Sequence, residues 1–193
     1  MNLISKKAFD FKLQIRILAN LKGMVICAFL IALYVVLYFA NIKITNTIQF
    51  RPGYLAICAA AMYGGPIMGA LTGAVGDVLS MLVTGGQGEV FFFGFTLSYA
   101  LMGFFFGFFL FGSAVNLAKG ISCALVELLV SLLLNTYWLF IMYYAGSTYM
   151  TVFITRIPKC LIMFVISSIV IPIVMKALQE AFKRAKVLPD LSK

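Results

Sequence analysis

Of the 15 Lys and Arg residues in this 193-residue chain, four sit where most of the others do not. Lys43 and Arg51 fall between the first two apolar stretches and Arg156 and Lys159 at the start of the last, away from the basic clusters at the two ends of the chain. Arg156 and Lys159 are three apart in Thr155-Arg-Ile-Pro-Lys159, so on a helix they share a face. Asn135 and Trp138 in Asn135-Thr-Tyr-Trp138 have the same spacing and carry Tyr137 between them. Pro158 fits the first turn of a helix, where N–H groups are free, and two cations at such a start make an anion site. At ~4 Å and an effective dielectric of ~20, one charge pair is worth ~4 kcal/mol before desolvation, so a single arginine can decide whether a carboxylate binds. A flat aromatic surface, an amide that donates and accepts, and paired cations together suit a planar ring system bearing one or more carboxylates. Lipid phosphate held by a snorkelling Arg or Lys is the plainer alternative.

Other chemistry is poorly served. The chain has no histidine, which removes the commonest metal ligand and any His-based triad, so no metal site is expected. Cys27, Cys58, Cys123 and Cys160 show no C-x2-C spacing and read as small packing residues. No G-x4-G-K-[ST] segment is present for ATP. Asp77 and Glu127 lie on different predicted helices with no protease signature around them; no enzyme activity and no cofactor are expected. Asp77 reads as an internal hydrogen-bond anchor or a proton relay, and Glu127 as a side chain reaching toward water.

The elements that must position these residues are membrane helices. The chain is 63% hydrophobic and 11% charged, with mean hydropathy +1.06, and several runs approach the ~20 apolar residues that cross a ~30 Å hydrocarbon layer. Apolar spans at 24–40, 53–64, 67–84, 95–112, 120–144 and 153–175 predict an all-α membrane protein, a compact bundle of six transmembrane helices forming a single domain over 1–193. Gly64, Gly65 and Pro66 separate the second span from the third, as a tight hairpin or a kink. The remaining basic residues fall in the 1–22 segment, at Lys119 and in the 176–193 tail, which six crossings bring to one face; the positive-inside rule makes that face, and both termini, cytoplasmic. The basic, interrupted 1–22 segment suits a helix at headgroup level, and the net charge of +9 speaks of topology and anionic lipid rather than nucleic acid.

Two outward segments read as lids. Residues 41–52, containing Arg51, are polar and long enough to fold over the bundle. Residues 85–95 combine flexible glycines and Gln87 with Phe92 and Phe95. Gly65, Gly69, Gly73 and Asp77 recur every four residues, a smooth stripe suited to close packing against another helix of the same chain. Ala28 and Ala32 make a second small-residue pair on the first span, open to packing or to an intermolecular contact.

These residues also carry a resemblance. Gly64-Gly-Pro-Ile-Met-Gly-Ala-Leu-Thr-Gly-Ala-Val-Gly-Asp77, Phe91 to Ser98, Asn135-Thr-Tyr-Trp-Leu139 and Arg156-Ile-Pro-Lys159 resemble the substrate-binding S component of energy-coupling factor vitamin transporters, of the folate type. The resemblance spans nearly the whole chain after residue 22. It implies a high-affinity folate-binding subunit of a prokaryotic plasma membrane importer, working with a transmembrane coupling subunit and two cytoplasmic ATPases. It further implies that Ala28 and Ala32 contact the coupling subunit and that the outer loops close on substrate. Within that reading Arg156 and Lys159 lie near the glutamate carboxylates, Asn135 and Trp138 near the rings, and Tyr137, Arg51, Phe92, Phe95 and Gln87 complete the site. The alternatives are an S component for riboflavin or pantothenate, or a self-sufficient proton-coupled carrier using Asp77.

Overall fold

The computed structural model describes residues 6–40, 42–43, 49–85, 91–144 and 148–185. A short 3-10 turn (Lys6–Phe9) leads into α1 (Phe11–Ala19) and α2 (Leu21–Phe39). A two-residue antiparallel pair, β1 (Ile42–Lys43) with β2 (Gln49–Phe50), is registered Ile42 opposite Phe50. Then come α3 (Tyr54–Thr84), α4 (Phe93–Leu110), α5 (Leu117–Leu129), a π-helical stretch (Val130–Asn135), α6 (Thr136–Tyr143) and α7 (Tyr149–Arg184). The stretch from Leu117 to Tyr143 runs as one rod. Among the described residues five helices are long and apolar enough to cross a membrane.

The expected break at Gly64-Gly65-Pro66 is a reversal of the chain. Gly65 has φ 83° and ψ −167°, which an L side chain would strain to adopt. A β-carbon placed on Gly69 would lie 2.9 Å from the Ala61 side chain, although a continuous helix separates positions eight apart by ~12 Å. The Tyr34 ring likewise lies 3.1 Å from a β-carbon position on Gly53 and 2.8 Å from one on Gly76, positions that a straight helix would hold ~34 Å apart. The two limbs of α3 therefore fold against each other. The first limb, residues 54–64, reaches only ~16 Å, about half a bilayer, so the expected second crossing is a half-length rod.

The second limb then packs on α4 through small residues. A β-carbon on Gly69 would overlap the Gly103 carbonyl, one on Gly73 the Tyr99 carbonyl, and one on Gly107 the Pro66 ring. The glycine stripe thus serves intramolecular packing, where van der Waals contact drives association in lipid. Large apolar side chains such as Phe29, Val36, Leu82, Phe105, Val165 and Ile173 point outward, whereas Tyr34, Tyr54, Ile57, Phe106, Leu110 and Ile171 form the interior. All four cysteines are buried and free, as packing residues should be.

Both described ends of the chain meet at one end of the bundle. Phe9 stacks on Phe108 at 5.1 Å, and Phe182 meets Tyr63 edge-on at 6.0 Å, beside the Gly65 turn. Gln179 ties α7 to the α4–α5 connection, donating to Ser113 O at 2.9 Å and accepting from Val115 N at 3.1 Å.

Both boundaries of the last span correct the sequence reading, α7 running on to Arg184 rather than ending near 175 and so taking in Lys176, Lys183 and Arg184 of the expected tail. α7 begins at Tyr149 rather than near 153, its start held by ring contacts of Tyr149 with Phe140 and Phe153. Pro158 therefore sits in the helix interior, where it removes the N–H that would bond the Ile154 carbonyl. Arg156 and Lys159 are two turns into the helix, so the free N–H groups of a helix start do not assist them. Glu127 is another correction: its Oε2 is buried with no hydrogen-bond partner among the described residues, close to Ser167 and Tyr54, rather than reaching water.

Candidate binding site

α4, the rod from Leu117 to Tyr143 and α7 bring several of the expected residues together. The π-helical stretch ends at Asn135, and such insertions rotate the following side chains relative to a regular α-helix. Thr136 Oγ1 donates to Ser131 O, five residues back, at 3.3 Å, which fits the widened turn. Asn135 Oδ1 is buried with no partner among the described residues. Across from it, Arg156 Nη1 donates to the Asn135 carbonyl at 3.4 Å, while Arg156 Nε is buried and unpartnered. One acceptor that lacks a donor thus lies beside one donor that lacks an acceptor. Buried polar groups seldom remain so, because each costs about 1–3 kcal/mol unless something satisfies it.

An aromatic wall adjoins this pair. The Trp138 indole donates from Nε1 to Ser98 Oγ at 3.1 Å, and Ser98 Oγ donates in turn to Gly94 O at 3.1 Å. A β-carbon on Gly94 would come within 2.6 Å of the indole, so glycine there is what lets the ring lie against α4. Phe92 packs on Trp138 at 5.6 Å, Tyr137 meets the indole edge-on at 5.2 Å, and Phe92 and Phe95 lie 6.0 Å apart. Phe92 and Phe95 are half-buried and Tyr137 is exposed. Half-buried Lys159 lies one turn beyond Arg156 on α7.

Arg51 lies just before α3. Its guanidinium sits 5.7 Å from the centre of the Tyr38 ring, a cation–π contact. Both Arg51 and Asp77 act electrostatically on Tyr34, whose ring meets Tyr99 edge-on at 6.1 Å. Tyr99 also lies near Arg156, as do Cys160 and Tyr144. Asp77 Oδ2 accepts a 2.6 Å hydrogen bond from Thr96 Oγ1, joining the second limb of α3 to α4.

Ser98, Tyr99 and Thr96 join this cluster without having been singled out in the sequence, although all three fall in the Phe91–Ser98 motif or directly after it. Their polar groups in an otherwise apolar α4 were the available signal. Gln87 lies outside the described residues, as do residues 41, 44–48 and 86–90 of the expected lids and the side chain of Lys43. Ala28 and Ala32 are exposed on α2, away from this cluster, in a face shared with Val25, Phe29 and Val36.

Residues 22–175 match the model of the family described as ECF transporter, substrate-specific component. The chain belongs to that family. Its members are components of transporters, not enzymes. The chain is also similar to a protein named folate transporter FolT from Clostridium novyi (strain NT), with 33% identity over 150 residues, covering 77% of this chain and 84% of the relative. Among solved structures it is similar to FolT bound with folic acid, with TM-score 0.68 and 28% identity over 79% of this chain and 91% of that one. The matched region begins after α1 and ends inside α7, so it takes in the whole aromatic and polar cluster of this substrate-specific component.

Proposed function

We propose that this chain is a folate-binding substrate-specific component, taking the vitamin from the outer face of a prokaryotic plasma membrane. The observation that carries the reading is the pairing of unsatisfied Arg156 Nε and Asn135 Oδ1 beside the Trp138–Phe92 wall. A ligand able to fill that arrangement offers an anionic acceptor to the guanidinium, an N–H donor to the amide oxygen, and a flat ring to the aromatics. Folate carries all three: glutamate carboxylates, pterin N–H groups and two ring systems. The names of the relative and of the structural neighbour point the same way. Arg51, Lys159, Tyr137, Phe95 and Gln87 belong to the same proposed site, with residues 41–52 and 85–95 as its covers. Riboflavin has no carboxylate, so it would offer the arginine only neutral acceptors, and binding insensitive to Arg156 and Lys159 would favour it.

The bundle end that gathers Phe9 and Phe182 also gathers Lys7, Lys12, Arg16, Lys183 and Arg184, and on the positive-inside rule that end is cytoplasmic. Transport then depends on a transmembrane coupling subunit and two ATPases. Exposed Ala28 and Ala32 on α2 are the proposed contact with the coupling subunit, since small residues let a partner helix approach closely.

The direct test is titration of the detergent-purified protein with folic acid. Arg156→Ala is expected to weaken binding at least tenfold, about 1.4 kcal/mol. Unchanged affinity would remove Arg156 from the site, and absence of folate binding by the wild type would end the proposal.

A further inference from the structure

α1 is nine residues long, too short to cross a bilayer, yet its orientation is fixed. Gln14 is fully buried against the Gly65 turn, donating from Nε2 to Ala8 O at 2.8 Å and accepting at Oε1 from Ile67 N at 3.1 Å. Ile67 is in the first turn after the reversal, where an N–H has no partner within its own helix, so Gln14 caps the second limb of α3 from outside. Held there, α1 cannot roll about its axis.

Successive residues of a helix turn by ~100°, which divides α1 into three strips. Leu13, Gln14 and Ile17 face the bundle. Phe11 and Ile15, 42% and 56% exposed, form an outward apolar strip that Phe9 and Leu21 extend at either end. Exposed Lys12 and Arg16 form a basic strip beside it, extended by Lys7 and Lys22. The one acid in this stretch, Asp10, is engaged as the α1 cap, accepting from Leu13 N at 3.1 Å. Lys183 and Arg184 add charge from the end of α7, next to Phe182 and Tyr63.

An acidic soluble partner would satisfy the basic strip and leave Phe9, Phe11, Ile15 and Leu21 in water. A neutral lipid surface would cover the apolar strip and leave the charges unmatched. We propose that α1, with the end of α7, is a binding surface for anionic phospholipid, Lys12 and Arg16 taking headgroup phosphate while Phe11 and Ile15 enter the acyl layer.

The full chain in detergent, titrated with phosphatidylglycerol and with phosphatidylcholine and read by native mass spectrometry, tests this. The wild type should retain phosphatidylglycerol in preference to phosphatidylcholine. Lys12→Gln/Arg16→Gln should weaken retention of phosphatidylglycerol roughly tenfold and leave phosphatidylcholine unchanged. Both positions are exposed, so the variant is expected to fold, and unaltered Trp138 emission verifies that it has. Equal retention of the two lipids by the wild type, or a preference that survives in the double variant, overturns the proposal. The outcome does not depend on which vitamin is bound.

Discussion

The indole N–H of Trp138 is spent on the hydroxyl of Ser98, 3.1 Å away, so what Trp138 can offer a ligand is its ring face and not its hydrogen bond. That contact joins α6 to the start of α4, the segment that also carries Phe92 and Phe95.

Removing the hydroxyl should therefore loosen the ring without removing it. Ser98→Ala is expected to cost about 1 kcal/mol in folate affinity, near fivefold, and Ser98→Thr to restore most of it. Because Trp138 is the single tryptophan, its fluorescence reports the same change before any ligand is added. An emission spectrum and anisotropy identical to wild type in Ser98→Ala would show that the hydrogen bond does not hold the indole.

Gly94 should be the less forgiving position. A methyl there would meet the indole at 2.6 Å, so Gly94→Ala must push Trp138 off α4. Overpacking of this kind typically costs about 1–3 kcal/mol. Thermal unfolding followed by Trp138 emission should show a lower midpoint and a shifted native spectrum. Gly85→Ala, strained by a left-handed φ of 61° but with open space around its β-carbon position, should lower the midpoint and leave that spectrum in place.

Arg156→Lys is expected to bind folate nearly as poorly as Arg156→Ala. A guanidinium presents several donors in one plane, and Nε is the one left unpartnered here, whereas an ammonium is a single point charge on a flexible stem. Calorimetric titration of both variants separates a need for charge alone, which lysine would meet, from a need for this geometry.

Asp77 and Thr96 should behave as a stability pair. Their 2.6 Å bond joins two helices inside the bundle, and bonds to charged groups contribute about 1.5–3 kcal/mol. Thr96→Val and Asp77→Asn should each lower the unfolding midpoint, and the double variant should lose less than the sum of the two. If Asp77→Asn instead abolished uptake driven by a pH gradient in vesicles containing this chain alone, Asp77 would be a proton carrier and not an anchor.

Much of this protein was legible without coordinates. Composition alone placed the chain in a membrane, because a chain so rich in apolar residues cannot hide them all from water, and the apolar runs gave helix limits within a few residues of those observed except in α7. The glycine period identified a packing stripe, and of the four cations set apart in the sequence Arg156 meets the Asn135-to-Trp138 motif, donating to the Asn135 carbonyl. Tertiary structure decided the rest. Gly64-Gly65-Pro66 was equally compatible with a kink and a reversal, and only contacts such as Ala61 with Gly69 and Tyr34 with both Gly53 and Gly76 select the reversal. The start of α7 was misjudged because ring contacts of Tyr149, not local propensity, extend the helix past the polar residues around Thr148. Ser98, Tyr99 and Gln14 acquire their roles from partners 40 or more residues away in the cases of Trp138 and Ile67, and from the neighbouring Tyr34 and Arg156 in the case of Tyr99. Periodicity records which face of a helix is apolar, a local property. Which polar atom meets which depends on the rotation and register of whole helices against each other, and no single segment encodes that.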